Sequence, residues 1–134
     1  MKIVNFNHFD LSKINKLVRT HLGKYELNKG YVFVDDKFKI FGYCTLKEDN
    51  GNIKIDWIYA KGGYGTKFLR RIERSLFRKY SKIILNLSID PTEYKATVMR
   101  RINFYIKNDY RVFDIIYRKK HGPLLTMIKN RSLN

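Results

Sequence analysis

Residues 55–71 read IDWIYAKGGYGTKFLRR, and the stretch changes character twice in seventeen positions. IDWIYA is rich in β-branched and aromatic residues and reads as a strand. KGGYG then places three of the chain's eight glycines, Gly62, Gly63 and Gly65, within four positions. TKFLRR opens a run with helical spacing. Glycine loses more conformational freedom on folding than other residues, so such a cluster needs a reason. A helix N-terminus presents unpaired N–H groups and the positive end of its dipole, which suits an anion. Glycines before it let the backbone approach that anion without side chains in the way. The loop is not a Walker motif, because Lys67 follows Thr66 where the G-x-x-x-x-G-K-[ST] order needs it before. A G-x-G-x-x-G after a first strand is absent too. A tight strand-to-helix turn without a ligand remains the other reading.

Working outward, Phe68, Leu69, Ile72, Leu76 and Tyr80 mark one face of the helix that follows. Lys67, Arg70, Arg71, Arg74, Arg78 and Lys79 crowd its other side. Residues 82–89, KIILNLSI, are a buried strand with a continuous apolar start. Pro91 opens the approach to a helix over about Lys95–Lys107, and RVFDIIYRK (111–119) returns as a strand. His121-Gly122-Pro123 turns the chain into a last strand at 124–130. Upstream, KIVNFNHF is a first strand. Asp10 or Ser12 caps a helix with Leu11, Ile14, Leu17, Val18 and Leu22 on one face and Gly23 past its end. YVFVDD (31–36), KIFGYCTLKED (39–49) and IKIDWIYA (53–60) form an antiparallel meander through turns at Asp35-Asp36-Lys37 and Asn50-Gly51-Asn52. The expected order is β-α-β-β-β-α-β-α-β-β.

Composition sets the outer bounds. The 134 residues make one domain, 1–134, large enough to bury a core, and 44% hydrophobic content excludes general disorder. No apolar run approaches a membrane span and the N-terminus lacks an apolar signal core, so the expectation is a cytoplasmic protein with no membrane contact. The single Cys44 cannot form an internal disulfide, and His8, His21 and His121 lack Cys partners, so no metal is expected. Charge is lopsided. Residues 1–60 hold ten basic and seven acidic side chains, whereas residues 61–134 hold eighteen and five, or +13 of the net +16. A field of that size attracts polyanions. Well-solvated surface is the plainer explanation of the same charge.

The stretch IDWIYAKGGYGTKFLRRIE, followed by a strand, a helix and FYIKNDYRVF, resembles the GNAT superfamily of acetyl-coenzyme A-dependent N-acetyltransferases. The likeness is best over residues 31–130. Family members carry R/Q-x-x-G-x-G/A between their fourth strand and third helix; Gly63-Tyr64-Gly65 supplies the glycines, with Ala60 where Arg or Gln is usual. The family's F-Y-x-K-x-G-F is matched by Phe104-Tyr105-Ile106-Lys107-Asn108-Asp109-Tyr110, with Asp109 in the glycine's place. Val98 stands where the family usually has Asn.

The resemblance implies an α/β (α+β) fold: a mixed, mostly antiparallel twisted sheet of about six or seven strands flanked by about three helices. It implies acetyl-CoA as co-substrate. The main chain at Ile58 and Ala60 would bond the pantetheine arm, and the amides of Lys61, Gly62, Gly63, Tyr64, Gly65 and Thr66 would cradle the pyrophosphate. Arg70 and Arg71 would approach the adenosine 3′-phosphate. Tyr105 holds the position that often protonates the leaving thiolate. Asp56, expected on one strand face with Ile58, lies near where the family often places an acid that removes the amine proton through water. Aromatic packing at the helix end is the other reading of Tyr105, and a simple ion-pair partner is the other reading of Asp56. Cys44 reads as a small buried hydrophobe.

The acceptor amine is open. A polycation needs a local acidic cleft to overcome the net charge. An amine on aminoacyl-tRNA, or a protein Lys or N-terminus in a nucleic-acid complex, suits the field better. Arg70, Arg71, Arg74 and Arg78, with Arg100, Arg101, Arg118, Lys119 and Lys120, would then contact phosphates. The other reading is a catalytically degenerate fold of this kind that binds nucleic acid.

Overall fold

Asn50 and Gly51 adopt φ values of 51° and 79°, the left-handed pair that a two-residue hairpin turn requires. That turn joins β3 (Ile40–Asp49) to β4 (Asn52–Ala60). In this computed structural model, which describes residues 1–8, 16 and 29–132, β3 pairs in turn with β2 (Gly30–Val34), and β2 with β1 (Lys2–Asn5). The Asp35 carboxylate accepts from the amides of Lys37 and Lys39 at 2.9 Å each and so closes the β2–β3 turn. β1 stops at Asn5, and Phe6–His8 form a 3-10 turn that buries Phe6. Of the helix expected over residues 11–22, only Lys16 is among the described residues, and it is helical.

Past β4 come α1 (Gly65–Leu76), β5 (Lys82–Ser88), α2 (Lys95–Lys107), β6 (Arg111–Ile116) and β7 (Leu124–Asn130). The seven strands form one sheet in the order β1-β2-β3-β4-β5-β7-β6. Only β4 and β5 run parallel; α1 is the crossover between them. Two α-helices of more than one turn stand among the described residues, so the expected element order holds throughout them. Arg118 explains why β6 ends at Ile116 and not at 119. Its guanidinium donates to the carbonyls of Gly122 and His121 and to the Ser88 hydroxyl, which curls the chain away from the ladder.

The main core lies between the sheet and α1. Phe68, Leu69 and Ile72 are fully buried, and the Phe68 ring stacks on Phe33 at 5.0 Å. Burying such side chains contributes about 1.5–3 kcal/mol each. The expected apolar face of α1 is therefore the face that packs, but it carries one acid. Glu73 is buried and is held by Lys129 at 2.9 Å and Arg70 at 3.5 Å. Such a pair stabilises little in itself, whereas loss of one partner strands a charge. A smaller core on the other face of the sheet gathers Phe6, Val32, Val34 and Tyr43.

One irregularity positions everything that follows. Ile55 lies opposite Leu46 and Trp57 opposite Thr45, so Asp56 is an extra residue with no partner position on β3. It is a β-bulge, and bulges bend their strand. The parallel ladder to β5 runs only over Ile53–Ile55 and ends there. Beyond it β4 stays with β3 while β5 stays with β7, and the sheet splays.

Candidate active site

The splay leaves a cavity of about 650 Å³. Residues 55–58 of β4 line one wall and residues 85–88 of β5 the other; Asp90, Glu93, Arg101, Tyr105 and Leu124 complete it. The volume is in the range of small-molecule sites. Both catalytic candidates, Asp56 and Tyr105, therefore line one cavity, though they are 49 positions apart in sequence.

Tyr105 projects from α2 and is only 5% exposed. Phe104 and Tyr110 pack edge-on against its ring at 5.1 and 5.7 Å. Burial pushes its phenol up to about 12, against a smaller opposing pull from Arg101. It is thus a neutral hydrogen-bond donor at neutral pH. The turn after it is built by Asn108, whose side chain donates to the Phe104 carbonyl, and by Asp109 at φ 72°. That left-handed backbone is the physical reason a glycine would serve at position 109.

Asp56 owes its place to the bulge. The bulge also overturns the expectation that Asp56 and Ile58 share a strand face. Ile55 and Ile58, three apart, both pack on the main core, and Tyr59 packs on the opposite one. Ile58 lines the cavity through its own strand edge. Ala60 sits opposite Gly42 and packs on the main core.

At the end of β4 the glycine loop leads into α1, as the sequence indicates. Of its six amides, those of Lys61 and Tyr64 are already used, donating to the carbonyls of Phe41 and Lys61 at 2.9 and 3.0 Å. They are therefore not available to an anion, contrary to the sequence expectation. The amides of Gly62, Gly63, Gly65 and Thr66 donate to no backbone acceptor among the described residues, and Tyr64 gives the helix no side-chain cap. A Cβ at Gly62 or Gly63 would meet nothing within 4 Å, and Gly63 has φ 87°. At Gly65 a Cβ would reach the Phe104 ring at 3.4 Å, so this glycine faces α2. Four amides without a backbone acceptor at a helix N-terminus, two of them on glycines with open space around them, fit a pyrophosphate. Lys61 instead lies over the Phe41 ring, 5.1 Å from its centroid.

The basic residues divide. Arg70 is tied to Glu73 and Asp109. Arg101 donates to Glu93 at 2.8 Å, and Arg118 is bound to Ser88 and two carbonyls. These three are structural, which the sequence alone does not show. Arg71 lies with Arg74, Ser75 and Arg78 around a separate notch beside Ile3. Charge also changes sign locally. Three of the chain's twelve acids, Asp56, Asp90 and Glu93, line the main cavity against Arg101. The Asp90 carboxyl is held below its ordinary range by the Thr92 amide and then by the Thr92 hydroxyl. Cys44 is fully buried, and burial pushes its thiol up to about 12, which leaves it a packing residue. No helix among the described residues is long and apolar enough to cross a membrane.

The seven-stranded, mostly antiparallel sheet with its splay between β4 and β5 has the fold of solved acetyltransferases, as the sequence resemblance to the GNAT superfamily implies. The chain is similar to a Bacillus subtilis acetyltransferase solved in complex with CoA. The TM-score is 0.64 at 13% identity, over 98% of this chain and 99% of that one. It is also similar to a dodecameric spermidine N-acetyltransferase from Vibrio cholerae, with a TM-score of 0.62 at 12% identity, over 90% of this chain and 74% of that one. In sequence, the uncharacterized N-acetyltransferase R584 of Acanthamoeba polyphaga mimivirus is 32% identical over 91 residues. That match covers 66% of this chain and 21% of the relative, about a fifth of its length. No protein-family model matches the chain.

Proposed function

We propose that the protein is an N-acetyltransferase that moves an acetyl group from acetyl-CoA to an amine inside the β4–β5 splay. The observation that carries this is the joint placement of a neutral, buried Tyr105 and the acid-lined cavity beside a loop of free amides. Acetyl-CoA supplies the acetyl thioester: the amine nitrogen would form the new C–N bond as the C–S bond breaks, and the departing thiolate, hydrogen-bonded by Tyr105, would take its proton late from that phenol, which water then reprotonates. The amides of Gly62, Gly63, Gly65 and Thr66 hold the pyrophosphate, and charge-assisted bonds of this kind contribute about 1.5–3 kcal/mol each. The β4 edge from Ile58 to Ala60, released from β5, takes the pantetheine arm. Tyr105 places its O–H where the thiolate develops. A phenol near 12 lies roughly 3 pKa units above a free thiol, so a hydrogen bond to the departing sulfur fits it better than early proton transfer. Asp56 receives the amine proton, directly or through water.

The acidic lining bears on the acceptor. A positively charged amine is repelled by the +16 chain as a whole, yet Asp56, Asp90 and Glu93 make the cavity itself attractive to an ammonium. This supports an acceptor whose amine arrives protonated on a flexible arm, such as a polyamine or a protein Lys or N-terminus. Spermidine acetyltransferases among the solved neighbours support the same class. It lends less support to aminoacyl-tRNA, whose phosphates would face those acids. Nucleic acid enters instead as a partner that brings such a protein amine close. In the test, calorimetry measures acetyl-CoA binding, and thiol release measures turnover with spermidine and with a lysine-bearing peptide. Tyr105→Phe should lower turnover about 10²–10³-fold and leave acetyl-CoA affinity nearly unchanged. Absence of acetyl-CoA binding by the folded protein, with RNA binding retained, would favour the degenerate, nucleic-acid-binding reading that the departures at Ala60 and Val98 suggest.

A further inference from the structure

Arg71, Arg74 and Ser75 of α1 and Arg78 of the turn after it line, with Ile3 of β1, a notch of about 240 Å³. All three arginines are exposed, and none has an acidic partner among the described residues. In this they differ from Arg70, which two carboxylates hold. The floor of the notch is fixed, because the Ser75 and Tyr31 hydroxyls are bonded at 2.7 Å. Positions 71, 74 and 75 follow helical spacing and share one flank of α1, and Arg78 follows in the turn just past its end. That flank faces β1, the edge of the sheet. The glycine loop faces α2 instead, through Gly65 and Phe104.

We infer that this notch is a phosphate site that holds the backbone of a nucleic acid. Guanidinium forks match phosphate oxygens, and three of them with no ion-pair partner among the described residues suit a ligand with several phosphates in a row. No aromatic side chain among the described residues lines the notch, so that lining offers no stacking platform for a base. The contact is to the backbone and is independent of sequence. Lys67, exposed on the same helix, and the +13 charge of residues 61–134 extend the field around it. The site stands apart from the acetyl-transfer cavity and does not rest on that reading.

The test measures anisotropy of a labelled 20-nucleotide single-stranded RNA against salt. Wild type should bind, and a variant with Arg71→Gln, Arg74→Gln and Arg78→Gln should lose about 2 from the log–log salt slope. A control with Lys119→Gln and Lys120→Gln removes exposed charge elsewhere and should change the slope less. Acetyl-CoA affinity should be equal in wild type and a variant with Arg74→Gln and Arg78→Gln that keeps Arg71. If the triple variant fails to fold by circular dichroism, Arg78→Gln alone should lower the slope by about 0.7. The inference is overturned by no RNA binding at low salt, or by a triple variant no different from the lysine control. It is overturned equally if acetyl-CoA affinity falls in parallel, which would give the notch to the cofactor. Displacement of RNA by inorganic triphosphate at equal phosphate concentration would make it a small-anion site only.

Discussion

At the scale of single residues, Tyr105 shows how one environment sets both chemistry and stability. Burial holds its phenol near 12, above the ordinary 10.0. Between those two values the unfolded chain has given up this proton and the folded chain has kept it. The unfolded state therefore binds fewer protons, and stability falls as pH rises through that window. Below 10 the contribution is fully present. Urea midpoints from pH 8 to 11 should show a loss that Tyr105→Phe reduces by roughly 1.4 kcal/mol per pH unit above 10. Equal alkaline losses in the two proteins would mean that Tyr105 titrates normally. Tyr110 has its phenol pushed up by burial and by Glu73, and its share of the loss should persist in both.

At the scale of elements, the loop between β4 and α1 separates backbone demands from ligand demands. Gly63 is left-handed, so Gly63→Ala should cost about 1–2 kcal/mol whether or not a cofactor binds. Gly62 has open space and no positive φ, so Gly62→Val should leave the melting temperature within a few degrees of wild type. If phosphate approaches that backbone, the same change should weaken acetyl-CoA about tenfold by calorimetry. Unchanged affinity would take Gly62 out of the site. This loop was legible in the sequence because glycines, strand pattern and helix pattern each carry a local signal. So were the meander, α1 and α2, and the pairing of Tyr105 with the FY-x-K motif. Other features were not legible, because they depend on partners far along the chain. The bulge hides in an ordinary-looking IKIDWIYA. Arg70, Arg101 and Arg118 look like free cations until Glu73, Glu93 and Ser88 arrive beside them. The use of the Lys61 amide by Phe41 is equally non-local.

At the scale of the whole molecule, charge and shape are arranged in opposition. Most of the net charge of +16 lies in residues 61–134, yet the one large cavity described here is lined with carboxylates from both halves of the chain. Attraction of a polyanion to the outside and of an ammonium to the inside are compatible because the cavity lies between β4, β5 and α2, whereas the arginine notch lies between α1 and β1. The cavity itself depends on the register of a single strand. Without Asp56, Ile55 and Trp57 would be adjacent, and their partners Leu46 and Thr45 are adjacent already. Every other β3–β4 pair would keep its place. Deleting Asp56 should thus give a folded protein in which β4 continues alongside β5, with acetyl-CoA binding lost in calorimetry and the melting transition still cooperative. Retained binding would detach the opening of the sheet from the extra residue. A site of this size would then be separated from a plain closed sheet by three nucleotides of coding sequence, a step that a lineage can take in one event and reverse in another.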